Sequence, residues 1–330
     1  MDVLVVGGAG YIGSHAVTQL IDKGYEVTVV DNLLTGHREA VHPEANFVLA
    51  DIRDKEVLSQ VFEARNFVCV FHFAASSLVG ESVEQPLKYF DNNVTGMISL
   101  LEVMVDHGVN KIIFSSTAAV YGDVDIPMIN EDLPTNPVNP YGLSKRMMEQ
   151  IMEWCQEAYG MNYISLRYFN VAGALEGGNI GEDHHPETHL IPIILQVANN
   201  QREYVTIFGD DYHTPDGTCI RDYIHVVDLI DAHIKAYEYL NDGGQSQVFN
   251  LGSSQGFSVK EIVEACRQVT DCCIPAQIGE RREGDPAKLV ASSDKAREIL
   301  GWQPQYDDIK KIIASAWAWH QTRPEGYGEE

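Results

Sequence analysis

The chain has 330 residues, 45% of them apolar, which is enough for a sizeable core and makes two domains the natural expectation. Its 23 Lys and Arg stand against 48 Asp and Glu, for a formal charge of −25. That excess repels phosphate backbones and argues against a nucleic-acid partner, so any anionic ligand has to be met by a few placed arginines. No apolar run approaches the ~18 residues of a membrane span, and the N-terminal apolar stretch has no basic flank and is broken by Gly7, Gly8, Gly10 and Gly13, unlike a signal peptide. The six cysteines, Cys69, Cys155, Cys219, Cys266, Cys272 and Cys273, form no CxxC pair. Several lie in apolar runs, so reduced thiols and a cytoplasmic location are expected. Adjacent Cys272 and Cys273 are expected only to pack near a strand end.

In chain order, VLVV (3–6) reads as a short buried strand. YIGSHAVTQLIDKG (11–24) reads as a helix with Ile12, Ala16, Val17, Leu20 and Ile21 inward and Gly24 as its stop. EVTVV is the next strand and ends at Asp31. NFVLAD, FVCVFHFA, KIIFSS and YISLRYF read as further strands, with KEVLSQVFEA and VTGMISLLEVMVDHG as helices between them. A proline-rich loop (Pro134, Pro137, Pro140) ends at NPYGLSK (139–145). There a long amphipathic helix starts, marked by Met147, Met148, Ile151, Met152 and Cys155. This βαβ alternation predicts an α/β fold with a doubly wound parallel Rossmann sheet. After about residue 175 the pattern loosens, and GALEGGNIGEDHHPETHLIP reads as a loop at a domain boundary. VVDLIDAHIKAYEYL and VFNLG read as one more helix and strand returning to the first sheet, and two late helices are expected near 258–270 and 307–320. The expected division is residues 1–175 with about 222–252 for nucleotide binding, and 176–221 with 253–330 as a smaller mixed α/β domain for substrate.

Two stretches carry chemistry. VVGGAGYIG joins the first strand to the first helix, and either Gly8, Gly10 and Gly13 or Gly7, Gly10 and Gly13 match a dinucleotide-binding spacing. Glycines there permit a tight turn and let backbone approach a pyrophosphate at the helix N-terminus. Asp31 stands eighteen residues past Gly13, where an acid accepts from a ribose diol and repels a 2′-phosphate. It is followed by Asn32, Leu33 and Leu34 rather than arginine, so NAD is favoured over NADP; a glycine-rich turn without cofactor is the competing reading. In NPYGLSK, Tyr141 and Lys145 stand at i and i+4, on one helix face. An ammonium near a phenol favours phenolate and lowers its pKa, which would make Tyr141 a usable base; the plainer reading is a surface Tyr on a Lys stem. His185 and His189 share that spacing, but Pro186 and the missing HExxH order argue against a zinc helix, and no metal is expected.

With the nucleotide loop and YGLSK together, the chain resembles the extended short-chain dehydrogenase/reductase family. The segments GGAGYIGSH, DNL, ADIRD, HFAA, VGESV, DNNV, SSTAAVYG, NPYGLSK, LRYFN, GTCIRDYIHV, NLG and RREGDP stand in the order seen in the UDP-glucose 4-epimerases of that family, across nearly the whole chain. The resemblance implies NAD held by Gly7, Gly10, Tyr11, Ile12 and Gly13, with Asp31 and Asn32 on the adenosine ribose and Leu33, Thr35 and Gly36 beside them. Asp51 and Ile52 would flank the adenine, and Phe73, Ala74, Ala75 and Ser77 would line the groove. Asn92 and Ser115 would complete the cofactor site. Some members carry lysine where Ser77 stands, and Ser77 cannot supply that charge. Tyr141 and Lys145 look like the catalytic pair and Thr117 the hydroxyl joining them, with Phe169 and Asn170 where nicotinamide and sugar meet. His189, Leu190, Phe208, Arg221, Tyr223, Arg282, Asp285 and Leu289 fall where the family holds its UDP-sugar.

The resemblance further implies a homodimer and interconversion of UDP-glucose with UDP-galactose through a 4-keto sugar, in galactose metabolism. The 4-OH must lose a proton as C4 is oxidised, and Tyr141 beside Lys145 and a cationic nicotinamide suits that step. Leu289 stands where other members carry either a bulky tyrosine or a small residue, so UDP-N-acetylglucosamine is an alternative or additional substrate. A 4,6-dehydratase or decarboxylase is disfavoured, because related dehydratases carry Asp-Glu where this chain has Ala118 and Ala119. A non-enzymatic NAD sensor would not need Tyr141 and Lys145. Thr117 as an ordinary strand-end hydroxyl, Asn170 as a turn residue and the arginines as solvated surface are the bland alternatives.

Overall fold

Val3, Leu4, Val5 and Val6 are all fully buried, because the strand they form is covered on both faces, as parallel strands are. In the computed structural model, which describes residues 1–124, 126–177, 179–282 and 285–328, this strand is β1 (Asp2–Val6). It is followed by α1 (Tyr11–Asp22), β2 (Glu26–Asp31), β3 (Asn46–Leu49), α2 (Lys55–Ala64) and β4 (Phe67–His72). Short helices α3 (Val79–Glu84) and α4 (Pro86–Tyr89) run through a π-helical turn into α5 (Gly96–Asp106). Then come β5 (Lys111–Thr117), α6 (Pro140–Tyr159), β6 (Asn162–Tyr168) and β7 (Asn170–Ala172). The second half adds α7 (Leu190–Ala198), β8 (Val205–Phe208), β9 (Ile220–His225), α8 (Val226–Asn241) and β10 (Gln247–Leu251). It ends with β11 (Gly256–Ser258), α9 (Val259–Thr270), β12 (Ala276–Gly279), β13 (Lys288–Leu289), α10 (Asp294–Leu300) and α11 (Ile309–Thr322).

Seven strands form one sheet in the order β10-β6-β5-β4-β1-β2-β3, all of whose neighbours pair in parallel. Alternate residues feed two cores. Val3 and Val5 pack with Val17 and Leu20 of α1 and Leu229 and Ile230 of α8. Leu4 and Val6 pack on the other face with Leu58 of α2, Met97 and Leu100 of α5, and Met148 and Met152 of α6. The strand order reverses between β1 and β4, which leaves a crevice beyond the carboxyl ends of those strands; ligands of doubly wound sheets bind there.

A smaller sheet, β11-β9-β13 with β7 on β9, and a β12–β8 pair lie with α7, α9 and α11 around a further core. Helix α8 and strand β10 do return to the first sheet. Residues 170–172 pair with 223–225 beside the smaller sheet, while Ile224 and Val171 pack with the core under the first sheet. Helix α7 begins inside the segment expected to be loop. Its Pro192 sits in the first turn, where a missing N–H costs nothing, so the proline does not mark a break. Helix α10 was too short to announce itself by periodicity.

Candidate active site

Loops after the carboxyl ends of β1 to β6 converge with β8, β9 and β13 around a cleft of about 1320 Å³. A single small-molecule pocket is commonly about 300–1,000 Å³, so there is room for two ligands end to end. At one end lies the glycine loop. Gly7 has φ +79, and a Cβ on it would meet the Ala74 nitrogen at 2.4 Å; a Cβ on Gly13 would meet the Gly7 oxygen at 2.0 Å. Both are fixed by backbone packing. The nearest atom to a Cβ on Gly10 would be 3.6 Å away, so at that position the free space belongs to the cleft. Gly8 faces Val29 instead and does not line the cleft, whereas Gly7, Gly10 and Gly13 do. Gly10 caps α1 without a side-chain hydrogen bond, and the first turn carries no acid. Its backbone N–H groups and the helix dipole suit a pyrophosphate.

Asp31 ends β2 with its Oδ2 accepting from Ala9 N (2.9 Å) and its Oδ1 from Leu33 N (2.8 Å). Burial raises its pKa and these backbone N–H groups oppose the rise. Each carboxylate oxygen keeps a lone pair for a ribose diol. Arg53, on the loop after β3, is held by Asp51 and Asp91, so it is not free to meet a 2′-phosphate. The shape and donors fit NAD.

At the middle of the cleft, Asn139 caps α6 by accepting from Gly142 N (2.8 Å), with Pro140 at the first helical position. This start delivers Tyr141 to the cleft wall beside Thr117, the last residue of β5. Burial pushes the Tyr141 phenol up, and the neighbouring Thr117 hydroxyl pulls the other way. Lys145 also lines the cleft. Its ammonium donates to the Ser115 carbonyl (2.9 Å) and lies over the Phe114 ring. Burial brings its pKa down to about 7, against the opposing charge of Glu149. The expected lowering of Tyr141 by Lys145 is therefore not what the chain's own groups produce. Helical spacing brings the two side chains to one wall, but the carbonyl of a strand captures the ammonium.

At the far end, Arg221 on β9 donates to the Ile220 and Pro286 carbonyls (both 2.9 Å) and to Asp285 Oδ1 (3.2 Å). Arg282 lies over the Phe208 ring, 4.1 Å from its centroid. Leu289 pairs in register with Arg221 and packs in one apolar cluster with Phe169. Tyr223 pairs in register with Asn170. Of the residues singled out from the sequence, Leu33, Asp51 and Ser115 do not line the cleft. Leu33 is turned into the core, Asp51 is occupied by Arg53 and Asn32, and the Ser115 hydroxyl bonds His233 behind the sheet. Ser77 lines the cleft and is exposed. His189 and Leu190 line it at the start of α7, with the His189 ring turned toward Glu182 and Glu187. Those two acids and His184 also line the cleft and had no sequence motif to mark them.

A glycine-loop Rossmann cleft with a Tyr, Lys and hydroxyl group at its centre suits a nucleotide-dependent enzyme that moves a hydride and a proton at an alcohol carbon. Residues 3–252 match the NAD dependent epimerase/dehydratase family, and the chain belongs to it. It is 61% identical to a UDP-glucose 4-epimerase of Streptococcus mutans, over 100% of this chain and 99% of that protein. UDP-glucose 4-epimerase from Brucella ovis, solved in complex with NAD, superposes with a TM-score of 0.93 at 46% identity, covering 96% of this chain and 97% of that one. The UDP-Glc/GlcNAc 4-epimerase of Campylobacter jejuni superposes with a TM-score of 0.86 at 42% identity, covering 97% and 99%.

Proposed function

We propose that this chain is an NAD-dependent UDP-glucose 4-epimerase, interconverting UDP-glucose and UDP-galactose through a transient 4-keto sugar. The observation that carries the reading is the position of the Tyr141 phenol and Thr117 hydroxyl, at the junction of the glycine-loop end and the arginine end of one cleft. Bound NAD supplies the reversible two-electron oxidation at C4 and, in its oxidised form, a positive charge in the cleft. Tyr141 takes the 4-OH proton and returns it, and Thr117 holds the phenol and the sugar hydroxyl in line. Arg221 and Arg282 meet the diphosphate, Asp285 holds Arg221 in place, and Phe169 with Leu289 walls the sugar. The division into a nucleotide-binding unit and a substrate unit supports this assignment, since each contributes one end of the cleft. A homodimer working in galactose metabolism in the cytoplasm completes the reading; the cysteines described are all unpaired, and no helix among the described residues is long and apolar enough to cross a membrane.

Two outcomes test the reaction class and the substrate. UDP-galactose incubated with the purified protein should yield UDP-glucose, and mass spectrometry should find no 4-keto-6-deoxy sugar, because Ala118 and Ala119 on the cleft wall cannot transfer protons. Accumulation of such a product would move the chain to the dehydratases. Leu289 favours a second, weaker activity. It lacks the bulk and hydroxyl of tyrosine, so a 2-acetamido group has space but no evident hydrogen-bond partner, and an unpaired buried amide costs about 1–3 kcal/mol. UDP-N-acetylglucosamine should turn over roughly 10–100-fold less efficiently than UDP-glucose, and Leu289→Tyr should abolish that activity while sparing the plain hexose. Comparing kcat/KM for both sugars in both proteins decides it. Equal use of both sugars by the unaltered protein contradicts the partial barrier, and unchanged ratios in the variant show that Leu289 does not face the sugar.

A further inference from the structure

We infer that Glu182, His184, Glu187 and His189 form a binding site for one zinc-class divalent cation. The four residues lie on the segment between β7 and α7 and line the cleft wall. One ligand atom from each falls within 4.8 Å of all the others. Glu182 Oε1 stands 2.7 Å from His189 Nδ1 and 3.4 Å from His184 Nδ1. Glu187 stands 3.7 Å from His184 Nδ1 through Oε2 and 3.4 Å from His189 Nδ1 through Oε1. Zinc–nitrogen and zinc–oxygen bonds of about 2.1 Å arranged tetrahedrally place neighbouring ligands roughly 3.4 Å apart. The observed spacings bracket that edge.

Two further features set the group apart from an ordinary surface ion pair. The Glu182 side chain is 5% exposed, and its Oε1 and the His184 Nδ1 are both buried without a partner in hydrogen-bond geometry. The Glu187 carboxylate is aimed by its own backbone, because Oε1 accepts from Thr188 N (2.7 Å) and His189 N (2.8 Å). Such outer contacts orient metal ligands. Two imidazoles with two carboxylates suit zinc better than magnesium, which prefers octahedral oxygen. The i,i+4 pair of His185 and His189 does not make the group, because His185 is 80% exposed and faces Asp183; the ring that closes it is His184. The Tyr11 hydroxyl donates to the Gly173 carbonyl (2.6 Å), and its ring meets His184 edge-on at 6.3 Å. A cation here would brace the turn that leads into Leu190, with His184 resting against Tyr11.

The test uses the full chain, stripped with a chelator, desalted and equilibrated with Zn²⁺ or Mg²⁺, with bound metal counted by inductively coupled plasma mass spectrometry. One zinc per chain is expected and no magnesium. Glu182→Gln and His184→Ala should each weaken zinc binding by about 100-fold or more, since losing even an outer contact costs about 10–100-fold. His185→Ala should bind as the unaltered chain does. Co²⁺ loaded into the unaltered chain should show the intense visible bands of a tetrahedral site, a readout that does not depend on the variants folding. Substoichiometric zinc, weak octahedral cobalt bands, or equal binding by folded Glu182→Gln would each overturn the inference, as would loss of binding in His185→Ala.

Discussion

Tyr141→Phe is expected to fold normally, to keep its nucleotide, and to lose about 10²–10⁴-fold in turnover, the typical cost of removing a general base. Phenylalanine keeps the ring and its packing on the cleft wall, so only the oxygen is lost. No other group is placed to take over. Lys145 is committed to the Ser115 carbonyl, and Thr117 Oγ1 accepts from Ala119 N (3.1 Å) and has too high a pKa to act alone. Measuring kcat alongside circular dichroism and bound nucleotide separates loss of chemistry from loss of structure. A variant retaining more than half the activity would remove Tyr141 from its role.

Glu149→Ala should be the most destabilising single change near the site. The carboxylate is fully buried. It accepts from Arg167 Nε (2.9 Å) and Nη2 (2.7 Å), from the Ser116 hydroxyl (2.6 Å) and from Arg146 Nη1 (3.2 Å). Arg167, itself 4% exposed, also donates to the Tyr121 hydroxyl (3.0 Å), which donates to Asn250 (2.7 Å). Removing Glu149 leaves a buried guanidinium uncompensated, which typically costs about 3–5 kcal/mol. The melting midpoint should fall by roughly 5–10 °C, and Glu149→Gln, which keeps one acceptor oxygen, should lie between. Lys145 should lose proton affinity as well, because Glu149 supplies the charge that opposes its desolvation. A midpoint unchanged in Glu149→Ala would show that the network carries no net stability.

The first sheet was legible because its inner strands are buried on both faces and read as continuous apolar runs, and because nearly every residue proposed to hold NAD follows the end of a strand. Gly7, Gly10 and Gly13 could be assigned from spacing, but whether Gly7 or Gly8 serves the loop depends on Val29 and Ala74, which are distant in the chain. The spacing of Tyr141 and Lys145 correctly put both on one wall. It could not reveal which acceptor takes the ammonium, since Ser115 lies thirty residues upstream. The polar core of α6 was hidden for the same reason: Ser144, Lys145 and Glu149 look like an exposed face until Asn93 and Arg167 are brought to them. Short elements were the other blind spot. β7 has three residues and makes sense only once β9 is beside it. Of the acidic and histidine group before α7 only His189 was singled out, because an irregular segment, without a helix period, holds the other three beside it.

The most direct test of the account follows a label on C4. UDP-galactose carrying deuterium at C4, incubated with the purified protein and no added NAD, should become UDP-glucose with the deuterium still on C4 and none lost to water, as nuclear magnetic resonance would read. That result fits a hydrogen that leaves C4 and returns to the same carbon within one cleft whose cofactor stays bound. Conversion that needs added NAD at each turnover, or that exchanges the C4 label with solvent, would contradict the account.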